Sequence, residues 1–594
     1  TDADGTTNLD DIDFATLGRV EVFRGPVSSV YGTGIGGVVS FLSEKAPEGI
    51  SARQSVLTGS DHTYRYTTSV GVGNGNANIQ FNYGQQMSDG YRMHNHSRKN
   101  FWTLNGSFYN SAKSTLSFYA YYTKSYDQLS GQVDVNGLKN YPDSADISYI
   151  NNDSHSDLES VRMGVTHEYQ FTKLLSNKTT FFAGTQVLDL GIAAILTHSH
   201  KSSFGFRTAF IYSPRLGKNV ESRITLGMEA TRNIIYQKSY NLNNGVLGSL
   251  RTDQEIKPLE WNVFAMMELT LSRNTLMVFS SSANFITYDN LDLRVTGNGY
   301  QNQSGYKIFT PLITPRWVVN HLISKTVSVY SNYSMGFAQP GTNQFVIAQT
   351  GKVNQDLKPE ISNTFEVGTK ASFWKESFNL NFAFFNMEVT DKLVPQFFKA
   401  AGGNPAYTAF VNAGAVNYSG VEFSLNYVYR SKEKQFFSLF RPFLSYTYNG
   451  SRNSNLKSDN NNSPFTKDYS NLPVSGLARN ILNTGLDIES RHGFYLNLTD
   501  MFTDKMPITL DNTVYADSYQ LVNMKFGFRK EFGKPARSPI SMDIFYGNNN
   551  IFSNRYTQFV VLNLVPVNGI APRYFTPGPG SKWYGGVSVR YTFP

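Results

Sequence analysis

Three groups of residues carry types and spacings that could do chemistry. His94-Asn95-His96 and His198-Ser199-His200 are i, i+2 pairs in polar stretches read as outward loops. On extended backbone such a pair puts both rings on one face, where they could ligate copper, zinc or haem iron. Solvated loop histidines explain the same spacing, and no metal site or resident cofactor is expected. Gly32-Thr33-Gly34-Ile35-Gly36-Gly37 satisfies G-x-G-x-x-G. A dinucleotide site also needs a helix opening at the third glycine and a carboxylate about 20 residues on. The β-type run Val38–Leu42 follows instead, so the glycines read as a crossing where backbone segments approach closely. The third group is scattered over polar segments: Tyr91, Arg92 and Arg98; Arg251; Arg294 and Tyr300; Gln344 and Phe345; Arg452; Arg555 and Tyr556; and Arg573. Guanidinium forks and aromatic faces on loops suit a bulky anionic ligand. Taken singly, each is equally an ordinary loop residue or an interfacial aromatic. No nucleophile-elbow or zincin spacing occurs, so no catalytic residue is assigned and no enzyme is expected.

The elements that must hold these residues follow from composition. The chain has 594 residues with charged residues at 16% and aromatics at 14%, against about 25% charged in soluble domains. Mean hydropathy is nevertheless −0.33. No run of about 20 apolar residues marks a membrane helix. A cysteine count of 0 excludes disulfides, thiolate zinc and cysteine catalysis. The net charge of +8 is spread without Lys/Arg runs, which argues against nucleic acid. Polar on average, aromatic-rich and rich in Gly and Asn, the chain has the mixture of a transmembrane β-barrel, whose strands face lipid and water alternately.

Period-2 alternation recurs from residue 50 onward. Phe378, Leu380, Phe382 and Phe384 alternate with Asn379, Asn381 and Ala383; Val587, Val589, Tyr591 and Phe593 alternate with Ser588, Arg590 and Thr592. About 22 such segments fit. Short turns, as near 74–76, 272–274 and 490–492, alternate with long polar stretches near 127–158, 238–255, 289–305, 338–359, 391–410, 450–475, 503–517 and 553–581. Brief periplasmic turns opposite long surface loops are the outer-membrane pattern. The expected fold is all-β: a 22-stranded antiparallel transmembrane barrel over 50–594, with both barrel termini on the short-turn side. Residues 1–49 lack a run of hairpins. A barrel this wide is open unless filled, so they are expected to end a plug.

Here the residues resemble a family. Arg19-Val20-Glu21-Val22-Phe23-Arg24-Gly25-Pro26, Val30-Tyr31-Gly32 and Gly36-Gly37-Val38-Val39 resemble the plug-ending signature of TonB-dependent outer-membrane receptors. Asn354–Glu360 with Glu366-Val367-Gly368, and Asn412–Glu422, resemble two further elements of that family, in its order and spacing. The resemblance implies a Gram-negative outer-membrane transporter that binds a scarce ligand outside and imports it when the TonB–ExbB–ExbD complex pulls the plug. The segment contacting TonB, and most of the plug, would lie upstream of the residues present, so the N-terminal part of the plug reads as missing. Residues around Gly336–Pro340 and Leu357–Glu360 lean toward ferric-siderophore receptors of the ferric-dicitrate type. Haem or cobalamin uptake by the same fold, a passive porin, and a surface lipoprotein partner stand as alternatives, with outer-membrane lipid as the surrounding partner.

The resemblance also implies a plug–barrel lock. Glu366 lies between Phe365 and Val367, and Glu422 between Val421 and Phe423. With the apolar neighbours facing lipid, both carboxylates face the lumen one strand apart, where they repel unless a cation intervenes. The family pattern names the cation as Arg24, whose guanidinium can fork to both.

Overall fold

The computed structural model describes residues 9–294, 302, 304–347, 352–398, 407–431, 435–458, 467–534, 537–564 and 572–593. Twenty-two antiparallel spans close into one barrel, the first strand, Gly49–Gly59, pairing with the last, Lys582–Phe593, through Ile50↔Phe593 and Gly59↔Tyr584. Spans are interrupted at Ser213-Pro214, at Lys257-Pro258, near Pro311, at Val428 and at Gly450-Ser451. Proline has no N–H for the ladder, which accounts for the first three breaks.

Alternation sorts the two faces as membrane physics requires. Val587, Val589 and Phe593 stand on the outer face. Arg590 points inward to pair with Glu44, and Ser588 Oγ lies 2.7 Å from Ser55 Oγ. On the outer face Tyr66, Tyr83, Trp102 and Tyr122 form a chain of rings with centroids 5.6, 5.0 and 5.1 Å apart, an interfacial aromatic girdle. A charge turned outward at mid-height is therefore expensive. Val587→Arg is expected to cost about 2–4 kcal/mol, whereas Ser588→Arg, on the wet face, should cost far less; urea unfolding in bilayers measures both.

Two stretches expected as long loops are strands. Val220–Asn243 runs into Val246–Ile256 through the tight turn Asn244-Gly245, with φ of 47° and 77°, the Asn-Gly hairpin turn. Phe378–Phe398 and Tyr407–Tyr427 likewise extend deep into 391–410. His198 and His200 also lie in a strand, Ile195–Tyr212, not in a loop. Strict apolar alternation lapses in these extensions, as in Lys238-Ser239-Tyr240-Asn241 and Asp391-Lys392-Leu393-Val394, so no period-2 signal marks them.

Residues 9–48 form no barrel strand. Leu17–Arg24 and Gly37–Ser43 pair antiparallel, joined through the four-residue helix Ser28–Tyr31. Gly37 has φ of 127°, and a Cβ there would collide with the Phe23 carbonyl, which is why the crossing takes glycine.

Candidate functional site

The lumen holds this N-terminal segment by charge. Its acidic run, Asp10-Asp11-Ile12-Asp13, meets a wall of cations. Lys99 Nζ lies 2.9 Å from Asp10 and 3.3 Å from Asp127. Arg162 lies 2.5 Å from Asp11, whose carboxylate is wholly buried, and Arg65 pairs with Asp13. Thr123 Oγ1 donates to the Asp11 carbonyl at 2.9 Å. Asp13 also caps the 3-10 turn Phe14–Thr16 by accepting from Ala15 N at 3.0 Å. Farther along, Glu44 takes Arg53 at 2.8 Å and Arg590 on its other oxygen. Arg207 donates to the Val30 carbonyl at 3.0 Å, pairs with Glu229, and lies between the rings of Tyr31 and Phe264, 5.0 and 4.5 Å from their centroids. Around the short helix, Ser29 Oγ lies 2.8 Å from Ser280 Oγ, Ser282 Oγ donates to Ser28 O at 2.8 Å, and Gly34 N donates to Phe337 O at 2.8 Å.

Of the anticipated lock, the structure joins Arg24 to Glu422. The fork to Glu366 is not made among the described residues. Instead the Tyr330 hydroxyl, on the neighbouring strand Val327–Ala338, donates to Glu366 at 2.6 Å. A neutral donor on the same wall satisfies that carboxylate, so the guanidinium does not have to bridge. Tyr330 was visible in the sequence only as one more alternating aromatic.

The residues anticipated as ligand contacts mostly tie loops together. Arg92 is buried, its Nε and Nη2 donating to Ser144 O at 3.0 and 2.7 Å and its Nη1 to Gly131 O at 2.8 Å. Arg294 is spent on Asp292 and on the Arg251 carbonyl. Arg555 donates to Lys139 O, and Arg573 pairs with Asp146. Arg98 shares the outward face of Trp102 and Leu104, away from the lumen, because its neighbour Lys99 takes the inward position. Tyr300 lies outside the described residues. The Gln344 side chain accepts from Gly341 N at 2.7 Å. Phe345, 0% exposed, stacks on Tyr288 at 5.1 Å within a cluster of Ile286, Phe309, Phe337 and Leu357. It anchors a folded-in loop. Phe345→Ala should cost about 3–5 kcal/mol of that loop's packing, measurable as faster proteolysis between 339 and 359 with little change in barrel melting.

Tyr91 and Tyr556 interact electrostatically in the loop layer, and Tyr556 lies against Tyr519 with centroids 5.2 Å apart. Burial, with a smaller contribution from Tyr556, pushes the Tyr91 hydroxyl up to about 12. A second loop cluster, Val133, Ile508, Ala516, Tyr574 and Phe575, knits 129–154 to 504–518 and 553–581. Two apolar loop bodies thus overlie the lumen, a feature the sequence did not reveal because their partners come from distant loops.

The histidine pairs separate. His94 turns inward, its Nε2 3.0 Å from Ser154 O. His96 and His62 both approach Asp89, whose carboxyl is held below the usual carboxylate range by hydrogen bonds first from His62 and then from His96. His198 and His200 lie on the outer barrel face with Asp189 and Thr185. No group of three or more His, Cys, Asp and Glu that could hold a metal occurs among the described residues.

Comparison with known proteins accords with this architecture. Residues 49–551 match the family described as TonB dependent receptor-like, beta-barrel. The siderophore receptor PiuA from Acinetobacter baumannii superposes with a TM-score of 0.75 at 16% identity, over 97% of this chain and 86% of that one. The ferric citrate transporter FecA in its unliganded form gives 0.78 at 14% identity, over 98% and 84%. In sequence, the catecholate siderophore receptor Fiu of Escherichia coli (strain K12) is 32% identical over 75 residues, 12% of this chain. That match spans only 10% of the length of the curated relative. Closed 22-stranded wall, family match and fold agree: the chain belongs to the TonB-dependent receptor-like β-barrel family.

Proposed function

We propose that this protein imports a ferric siderophore or similar iron chelate across the Gram-negative outer membrane, with residues 9–48 serving as the C-terminal part of a plug, both barrel termini periplasmic, and the TonB–ExbB–ExbD complex as energy source. One observation carries the reading: a non-barrel segment is threaded through the lumen and held by exposed and buried charge pairs rather than by an apolar core. Such contacts hold a stopper shut yet exchange for water at modest cost, since an exposed pair is worth about 0–1 kcal/mol. A passive porin has no use for them. The ligand would be taken up beneath the loop bodies, where Tyr91 and Tyr556 are the aromatic faces retained from the sequence set. Purified protein should bind a ferric chelate at least roughly tenfold more tightly than the iron-free chelator, about 1.4 kcal/mol. Equal affinity for both, or a large open-pore conductance in planar bilayers, would refute the reading. Haem uptake is less well supported, because His94 faces a loop carbonyl, His96 approaches Asp89, and His198 and His200 face away from the lumen. Tight haem binding lost in His94→Ala/His96→Ala would reinstate it.

A further inference from the structure

At the end of the barrel where Gly49 and Phe593 lie, every hairpin connection except 74–76 carries lysine or arginine. Lys113, Lys173, Arg215, Arg273, Lys325 and Lys375 stand in six consecutive connections, from 111–114 to 373–378, and all are exposed. With Lys218 these connections hold seven cations, against the single carboxylate of Glu376. Nearby carboxylates are already engaged, Glu168 by Lys178 at 2.5 Å and Glu268 by Arg223 at 3.7 Å. Among the described residues none of the six cations has an ion-pair partner within 4 Å. At the opposite end cations find carboxylates: Lys238 with Asp253 at 3.0 Å, Arg294 with Asp292 at 2.9 Å, and Lys582 with Asp61 at 2.6 Å.

Turn geometry does not select these residues. Arg273 and Lys375 have φ of 63° and 57°, in the left-handed region where glycine or asparagine is favoured. A long cation is held there against backbone preference, so its charge accounts for it. Apolar neighbours set its height. Phe171 and Leu174 flank Lys173, Leu216 follows Arg215, and Trp374, 74% exposed, precedes Lys375. Exposed aromatic and aliphatic side chains at strand ends mark the membrane interface. The cations therefore stand at headgroup level, in a ring around the turn end. Lysine and arginine left unmatched at a membrane surface attract anionic headgroups.

We propose that this ring binds anionic phospholipid headgroups, phosphodiesters of the phosphatidylglycerol kind, in the leaflet it meets. With both barrel termini periplasmic, as proposed, that leaflet is the inner one; the leaflet assignment rests on that reading, whereas the lipid preference does not.

The full chain is purified into nanodiscs of equal parts phosphatidylglycerol and phosphatidylcholine, and the lipid it retains on release is counted by native mass spectrometry. Wild type should retain the anionic lipid at least roughly fivefold over the neutral one, the ratio that about 1 kcal/mol gives. Lys173→Gln/Arg273→Gln/Lys325→Gln/Lys375→Gln should lower that ratio to about half or less, and Lys173→Arg/Arg273→Lys/Lys325→Arg/Lys375→Arg should keep it. Lys124→Gln/Lys139→Gln/Lys238→Gln/Lys257→Gln, which removes equal charge from the loop end, should leave it unchanged. Heat-modifiable gel migration verifies that each variant is folded. An unchanged ratio in the folded turn-end glutamine variant, or an equal fall in the loop-end variant, would overturn the ring. Wild-type binding to peptidoglycan sacculi, lost in the turn-end variant while the lipid ratio holds, would give the ring to the cell wall instead and overturn the lipid assignment. Lys375→Cys should react with a membrane-impermeant maleimide only after the outer membrane is permeabilised. Labelling in intact cells would overturn the inner-leaflet assignment and the proposed orientation together, and leave the lipid preference standing.

Discussion

Asp13→Ala is expected to release the N-terminal end of the luminal segment while leaving the barrel closed. The Asp13 carboxylate is 1% exposed and its partner Arg65 19% exposed. Removing one member of a buried pair costs about 3–5 kcal/mol, because the other charge is stranded. Arg65 also donates to Gln86 at 3.0 Å, so the lower end of that range applies. By contrast the Arg24 side chain is 69% exposed in the wet lumen and Glu422 30%, and Arg24→Ala should cost only about 0–1 kcal/mol. The order matters more than either value. Hydrogen exchange over 9–17 should accelerate markedly in Asp13→Ala and barely in Arg24→Ala, and ion leakage through planar bilayers should rise in the same order. Asp13→Asn, which keeps an oxygen for Ala15 N but not the charge, should fall between. A larger leak from Arg24→Ala than from Asp13→Ala would show that the R-G-P arginine, and not the acidic run, holds the segment.

What could be read from sequence followed from the membrane. Half of each strand must satisfy lipid, so Phe382, Phe384, Val587 and Val589 announce their face, and Arg590 could only turn inward. Above the bilayer that constraint ends. The strands carrying His198, Lys238 and Leu393 lose strict apolar alternation there and read as loops, although Asn244-Gly245 is a hairpin signal. The Arg24–Glu422 pair, 398 residues apart, was legible because a motif named one partner and strand parity aimed the other. Glu366 misled because parity gives direction but not the competing donor Tyr330. The loop arginines misled for a deeper reason. An arginine fork serves a ligand carboxylate and a backbone carbonyl equally well, and only the tertiary placement of Gly131 and Ser144 decided Arg92's role. The acidic run Asp10–Asp13 has no legible partner in the sequence, because only the barrel wall brings Lys99, Arg162 and Arg65 to it.

In the proposed transport cycle the luminal segment holds the barrel shut at rest and leaves the wall for import. Ser29, on the helix Ser28–Tyr31, and Ser280, on the strand Thr275–Asp292, have their hydroxyls 2.8 Å apart. That spacing suits a disulfide, whose Cβ atoms stand about 3.8 Å apart, and the cysteine count of 0 makes the engineered pair the sole thiols within these 594 residues. The decisive measurement is ferric-chelate uptake by cells carrying Ser29→Cys/Ser280→Cys in the full-length receptor, oxidised and then reduced, beside each single substitution. Oxidised protein should bind the chelate with unchanged affinity while uptake falls to background, and reduction should restore it; uptake at the wild-type rate through the fully cross-linked receptor would contradict the account.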